Sequence, residues 1–206
     1  MFKLFPYSLF GARMVNLALN KEYGNNLNNW SVGLRLVYGD TAFVMAGDAE
    51  EEAEHDICAN GLELKADVLK LGHHGSRTSS SAEFLQRVDP AYAVIMCGRD
   101  NDYGHPHREI MEKLGQLGIS LFRTDEQGTV VAGSDGKQIT WSTQPAQTWE
   151  KGGKTEQYVL NTSTKKFHRP DCSSVNSMKQ ENREDFTGDR RQLTEQGYSP
   201  CGICKP

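Results

Sequence analysis

The sequence predicts a layered α/β domain followed by a small metal-stapled module. Strand-type runs alternate with helix-type runs from about residue 31 to residue 142, the pattern of a sheet with helices packed on it. A polar stretch containing Pro and Gly, TQPAQTWEKGGKT, then breaks the apolar periodicity. Beyond it, one histidine and three of the five cysteines fall at metal-ligand spacing.

The opening run MFKLFPYSLF is apolar but interrupted by Lys3 and Pro6. It lacks the long apolar core and small-residue cleavage site of a secretory signal. No apolar run approaches the roughly 18 residues that a membrane span requires. The first strand pattern follows, with apolar residues alternating through Val32, Leu34, Leu36 and Tyr38. Gly39-Asp40 turns it into a second strand, Thr41 to Ala46, as a hairpin. EEEAEHDICANG reads as a helix, acidic at its start where the dipole favours negative charge and stopped by Asn60-Gly61.

ADVLKLG is a short buried strand leading into the loop HHGSRTSSS. SAEFLQRV is a short helix that Ser80 or Ser81 can cap and that Asp89-Pro90 ends. AYAVIMCG reads as a continuous apolar strand buried on both faces. After the loop RDNDYGHPH, REIMEKLGQLG is an amphipathic helix ending at Gly118. ISLFRT and GTVVAGSDGKQITWS supply the last strands, turned at Asp135-Gly136. The expected organisation is an α/β domain over 1–145, a linker over 146–156 and a small module over 157–206.

Charge divides along the same boundary. Residues 1–150 hold 13 basic against 20 acidic side chains, a balance of −7, and residues 151–206 hold 10 against 7, a balance of +3. An acidic body with a mildly basic tail assigns any polyanion contact to the tail, where the plain alternative is a solvated surface. Cys58 and Cys97 stand alone in apolar or helical context and read as buried thiols.

In α/β sheets functional residues gather on loops at the carboxyl ends of strands. Three such loops end in ligand-type residues: Gly47-Asp48, Gly72-His73-His74-Gly75-Ser76 and Tyr103-Gly104-His105-Pro106-His107. Four of the six histidines lie in the last two. A carboxylate and imidazoles converging on one edge suit Zn²⁺ or Mn²⁺.

NNWSVGLRLVYGDTAFVMAGDAEEEAE, ADVLKLGHHGSRTSSSAEFL and AVIMCGRDNDYGHPHREIMEKL closely resemble the metallo-β-lactamase-fold domain of the ComEC competence family and its free-standing relatives. The resemblance spans roughly residues 25–135. It implies a binuclear metallohydrolase, a phosphodiesterase or nuclease acting on DNA, in an extracytoplasmic or secreted setting, although no signal peptide is visible. By resemblance Asp48 bridges two metals and His105 is the late histidine ligand. His73, His74 and Ser76 line the site, one of the histidines contacting metal or phosphate. Asn101 and His107 carry over more weakly, and His107 reads equally well as the start of the next helix. The family's first metal motif, His-x-(His/Asp)-x-Asp-His, has no counterpart in residues 1–30, and the first histidine is His55. The matched segment therefore corresponds to the second half of an αββα sandwich. A two-metal hydrolytic site needs ligands from both halves. An unpaired half leaves an apolar face that a second copy or a complementary N-terminal half would cover.

The tail, YVLNTSTKKFHRPDCSSV…GYSPCGICKP, carries His168-x3-Cys172 and, after a long insertion, Cys201-x2-Cys204. Two thiolates on a Cys-x2-Cys knuckle chelate one tetrahedral ion, and His-x3-Cys adds two ligands on one turn. Three cysteines cannot all pair as disulfides, and about 50 residues with few large apolar side chains need a staple. Structural zinc is expected, with Tyr158, Phe167 and Tyr198 as a mini-core around it. The segment resembles the small zinc module named after the Ada repair protein. Two functions compete: a metal-dependent phosphodiesterase, active once the first metal motif is supplied, and a catalytically incomplete binding or assembly module that needs a partner half.

Overall fold

The computed structural model describes residues 7–9, 11–146, 156–188 and 190–206. The chain divides into two compact units, Met1–Lys151 and Gly152–Pro206. Apart from Ala146 and Glu156, the expected linker lies outside the described residues.

The first unit is α/β, built on a seven-stranded sheet whose spatial order follows the chain. Its strands are β1 (Tyr7–Leu9), β2 (Ala12–Asn16), β3 (Leu34–Tyr38), β4 (Thr41–Met45), β5 (Val68–Lys70), β6 (Tyr92–Ile95) and β7 (Ser120–Arg123). β1 to β4 pair antiparallel and β4 to β7 parallel. Parallel neighbours need a crossover, and three helices provide it: α1 (Glu51–Ala59), α2 (Ala82–Val88) and α3 (Arg108–Gln116). The β3–β4 turn is tight at Gly39, which has φ +56°, and a Cβ there would fall 2.2 Å from the carbonyl oxygen of Gly136. Only glycine fits both constraints.

All three helices pack on one face of the sheet. Ala53, Ile57 and Cys58 of α1, Phe84, Leu85 and Val88 of α2, and Ile110, Met111 and Leu114 of α3 share a core with Ala42, Val44, Leu69, Ala93, Ile95 and Leu121. Burial pushes the Cys58 thiol up to about 11, which makes it an inert core residue. Ser81 caps α2, its Oγ accepting the Phe84 N–H at 3.3 Å. Asp89, at φ +46°, ends the helix in the left-handed region.

The opposite face is only partly covered. Strand register places Leu34, Leu36, Phe43, Met45, Val68, Lys70, Tyr92 and Val94 on it; Val68 is buried and the other seven are partly exposed. AYAVIMC is therefore not buried on both faces as its composition predicts. Ala93 and Ile95 are fully buried, whereas Met96 is 48% exposed. The physical reason is that the helices form a single layer. A hairpin, β8 (Ala132–Ser134) with β9 (Ile139–Trp141), covers the β6–β7 end of this face. There Trp141 stacks on Phe122 with ring centroids 3.8 Å apart. A one-turn helix α4 (Thr124–Gln127) follows β7 and places Asp125 against fully buried Arg123, with 2.6 Å between Nη2 and Oδ2.

The second unit contains a four-stranded sheet in the order β12-β10-β11-β13. These are β10 (Glu156–Asn161), β11 (Lys166–His168), β12 (Arg183–Gly188) and β13 (Ser199–Pro200), with short helices α5 (Ser173–Asn176) and α6 (Arg190–Glu195). Strand alternation splits its interior in two. Tyr158, Leu160, Phe167, Leu193 and Tyr198 form one cluster, while Val159, Cys172, Val175 and Cys201 form the other. The expected aromatic mini-core exists, but not around the cysteines, because Tyr158 and Val159 point to opposite faces. No helix among the described residues is long and apolar enough to cross a membrane.

Candidate metal centres

β11 ends at His168, a turn carries the chain to Cys172 at the head of α5, and β13 delivers Cys201 and Cys204 on a knuckle. One ligand atom from each of these four residues lies within 4.8 Å of the other three. The thiol of Cys201 accepts the Ile203 N–H at 3.4 Å, and that of Cys204 accepts the Arg169 N–H at 3.4 Å. Burial pushes the Cys201 thiol up, but the N–H groups of Cys204 and Ile203 outweigh it and bring it down to about 7. Cys204 is pushed up to about 11, chiefly by burial and further by its cysteine neighbours.

Both ring nitrogens of His168 are buried without a hydrogen-bond partner. Leaving a buried polar group unpaired costs about 1–3 kcal/mol. A cation that takes the lone pair of one ring nitrogen removes that cost there, and an S₃N donor set is that of structural zinc. The quartet can hold zinc.

The second centre lies at the carboxyl end of the large sheet. Gly47 has φ +61°, and a Cβ there would meet Ser31 at 2.7 Å. This close approach lets Ser31 Oγ accept the Asp48 N–H at 2.8 Å and fix the loop after β4. After β5 the chain passes through His73 at φ +46° and His74 at φ +55°. Non-glycine residues in this region are uncommon and strained, and such strain clusters at functional sites. His74 Nδ1 lies 2.6 Å from the carbonyl oxygen of Met96. A carbonyl can only accept, so in the neutral ring Nδ1 carries the proton and Nε2 the lone pair. Nε2 in turn lies 3.4 Å from Asp48 Oδ1. Two acceptors facing each other at that distance call for a proton or a cation between them.

His73 Nδ1 faces Thr78 Oγ1 at 3.2 Å and Glu50 Oε1 at 3.4 Å. Glu50 accepts from Asn26 Nδ2 at 2.8 Å, Thr78 Oγ1 at 3.0 Å and Asn28 Nδ2 at 3.2 Å. Burial pushes its carboxyl up, but these donors and His73 outweigh it and hold it below the usual range. Buried His105 completes the group, its ring centroid 5.6 Å from that of His73 and 6.4 Å from that of His74. Lys70 Nζ donates to the Leu71 carbonyl at 3.1 Å, and burial lowers its pKa against the opposing charge of Asp48.

The structure therefore brings Asp48, His73, His74 and His105 to one edge. Ser76 and Asn101 are committed to their own loops. Buried Ser76 pairs its Oγ with Thr78 Oγ1 at 3.0 Å. Asn101 accepts the His105 N–H at 2.9 Å and donates to the His105 carbonyl at 2.7 Å, so it clamps the loop that carries the histidine. His107 is the cap residue of α3, and its Nδ1 accepts the Arg77 N–H at 3.0 Å. Glu50, Asn26, Asn28 and Thr78 are additional members that the sequence reading passes over, since an acidic helix start and an Asn-rich run look generic. Among the described residues the tail quartet is the one group of three or more His, Cys, Asp or Glu side chains close enough to hold an ion. At the sheet edge Asp48 and His74 form a pair with His105 beside them, not a closed set.

No family model matches the chain. It is similar to three curated proteins over about half its length. ComE operon protein 3 of Bacillus subtilis (strain 168) is 40% identical over 103 residues, which are 50% of this chain and 13% of that protein. Competence protein ComA of Neisseria gonorrhoeae is 41% identical over 107 residues, 52% of this chain and 16% of that protein. Recombination protein 2 of Haemophilus influenzae (strain ATCC 51907 / DSM 11121 / KW20 / Rd) is 39% identical over 103 residues, again 50% and 13%. The matched segments span only 13% to 16% of these relatives.

Proposed function

We propose that the first unit is one half of a metal-dependent hydrolase site of the metallo-β-lactamase type. The site acts on phosphodiesters of DNA, and ligands from another chain segment complete it. The observation that carries this reading is the Asp48–His74 pair: a carboxylate oxygen 3.4 Å from an imidazole nitrogen whose lone pair is exposed by the bond from Nδ1 to Met96. Orientation of a ligating histidine through its second nitrogen is a general property of metal sites. Asp48, His74 and His105 would hold the ion, zinc or manganese, and a bound divalent ion supplies Lewis acidity at a phosphate ester. His73, braced by Glu50 and Thr78, faces the same space. The DNA context is supported by relatives named for competence and recombination. The tail is read as a zinc-stapled module of the Ada type.

Metal stoichiometry tests the reading. Residues 1–206 are expected to retain one tightly held zinc and to take up a second divalent ion weakly. Asp48→Asn should abolish the weak uptake and leave the tight one. A chain that binds one equivalent under all conditions, with Asp48→Asn indistinguishable from it, would sink the proposed ion site.

The open sheet face favours the second reading, an incomplete module that requires a partner. Leu34, Leu36, Phe43, Met45 and Val94 line it at partial exposure, and apolar side chains left partly uncovered on a sheet face are what a partner half would bury. The chain is expected to dimerise or to capture a complementary half. Light scattering that finds a compact monomer across the full dilution range would exclude the dimer, and failure to bind a segment bearing the first metal motif would exclude the complementary half.

A further inference from the structure

We propose that Tyr103 is a stacking platform for a nucleobase at the entrance to the Asp48–His74–His105 site. The proposal deepens the reading of that site as one acting on nucleic acid and rests on it. Tyr103 is 79% exposed, so its ring contributes little to packing. One face of it lies against His105, with centroids 5.7 Å apart and planes 21° from parallel. His105 is in turn 19° from parallel with His74, the residue that faces Asp48. Tyr103 is thus the outer member of a short series of rings that leads from solvent to the proposed ion site.

The loop is held without the help of this side chain. Asn101 clamps both backbone groups of His105, and Gly104 turns the chain at φ +72°. A large aromatic ring kept at the surface by a loop fixed through other residues is placed for a ligand. A planar ring offers its π-face to any base, and base–aromatic stacking is sequence-tolerant. The neighbouring charges narrow the ligand further. Asp100 and Asp102 precede the tyrosine and are exposed, which disfavours phosphate there and leaves the neutral face of a base as the compatible partner.

The experiment is fluorescence anisotropy with residues 1–206 and no added divalent ion. It compares an end-labelled single-stranded oligodeoxynucleotide with an abasic strand of equal length. The intact chain should bind the strand with bases more tightly. Tyr103→Ala should weaken that binding by roughly fivefold to a hundredfold and leave the abasic strand unaffected, while Tyr103→Phe, which keeps the ring, should behave as the parent. A preference for bases that survives Tyr103→Ala overturns the platform and leaves the nucleic-acid reading standing. Loss of the preference in Tyr103→Phe also overturns it, because the hydroxyl would then be the contact. Failure of the parent chain to bind either strand overturns the platform and the nucleic-acid reading together.

Discussion

Replacing Cys201 or Cys204 with Ser is expected to release the tail zinc and unfold residues 157–206, with the α/β unit left folded. Both ring nitrogens of His168 are buried and unpaired. The thiols of Cys172, Cys201 and Cys204 converge on it, so an ion held by all four ties the module together. The second unit has few other means of support, since its two small clusters are split by the sheet. In modules of this kind metal-binding energy is folding energy, about 10–16 kcal/mol at neutral pH for structural zinc. Loss of one thiolate ligand is therefore expected to leave too little to hold the fold. Calorimetry of the full chain checks this: two transitions for the parent, one for either variant, and one for the parent in excess chelator. Both transitions persisting in Cys201→Ser, together with a full equivalent of zinc, would defeat it. The two units are separately compact, so the first transition should move little.

The tail was the most legible part of the chain because ligand spacing is a local property. His168-x3-Cys172 and Cys201-x2-Cys204 fix pairs of donors by covalent geometry, and only the meeting of the two pairs depends on the fold. The surroundings were less legible. Whether Tyr158 or Val159 faces the cysteines is decided by the register of β10 against β11 and β12, which composition does not specify. In the first unit the alternation of Leu34 and Leu36, the turn at Gly39 and a serine cap at Ser80 or Ser81 could be read directly. β1 and β2 could not, because β1 is only three residues long and the pairing of β2 with β3 is a long-range contact. AYAVIMC looked like a strand buried on both faces since an apolar run records what a strand tolerates, not what covers it. At the sheet edge Asp48, His73, His74 and His105 stood out as residue types on loops. Glu50 did not, because its role arises from Asn26, Asn28 and Thr78 converging on it across the loops.

The largest functional effect is expected at Asp48, under a stated condition. When a segment bearing His-x-(His/Asp)-x-Asp-His is supplied, by a longer chain or a partner, manganese- or zinc-dependent phosphodiesterase activity on DNA should appear. Asp48→Asn should then abolish it. A carboxylate brings negative charge and two equivalent oxygens to a pair of cations, whereas an amide is neutral and offers one oxygen. Loss of a partner that merely orients a ligand costs about 10–100-fold in affinity or activity, so loss of a carboxylate that would itself hold the ion should exceed that range. His105→Ala should cost a comparable amount by removing a ligand. His74→Ala should lower metal content together with rate, because the lone pair on its Nε2 faces Asp48. His73→Ala should lower rate more than metal content, because its Nδ1 is engaged with Thr78 and Glu50 while its ring borders His105. Equal loss of metal in the His73 and His74 variants would reverse that assignment. Residues 1–206 alone should turn over little, since Asp48, His74 and His105 do not form a closed ligand set. Strong metal-dependent DNA cleavage by this chain alone, lost in Asp48→Asn, would mean that the three loops suffice and that the complementary first half is not required for chemistry.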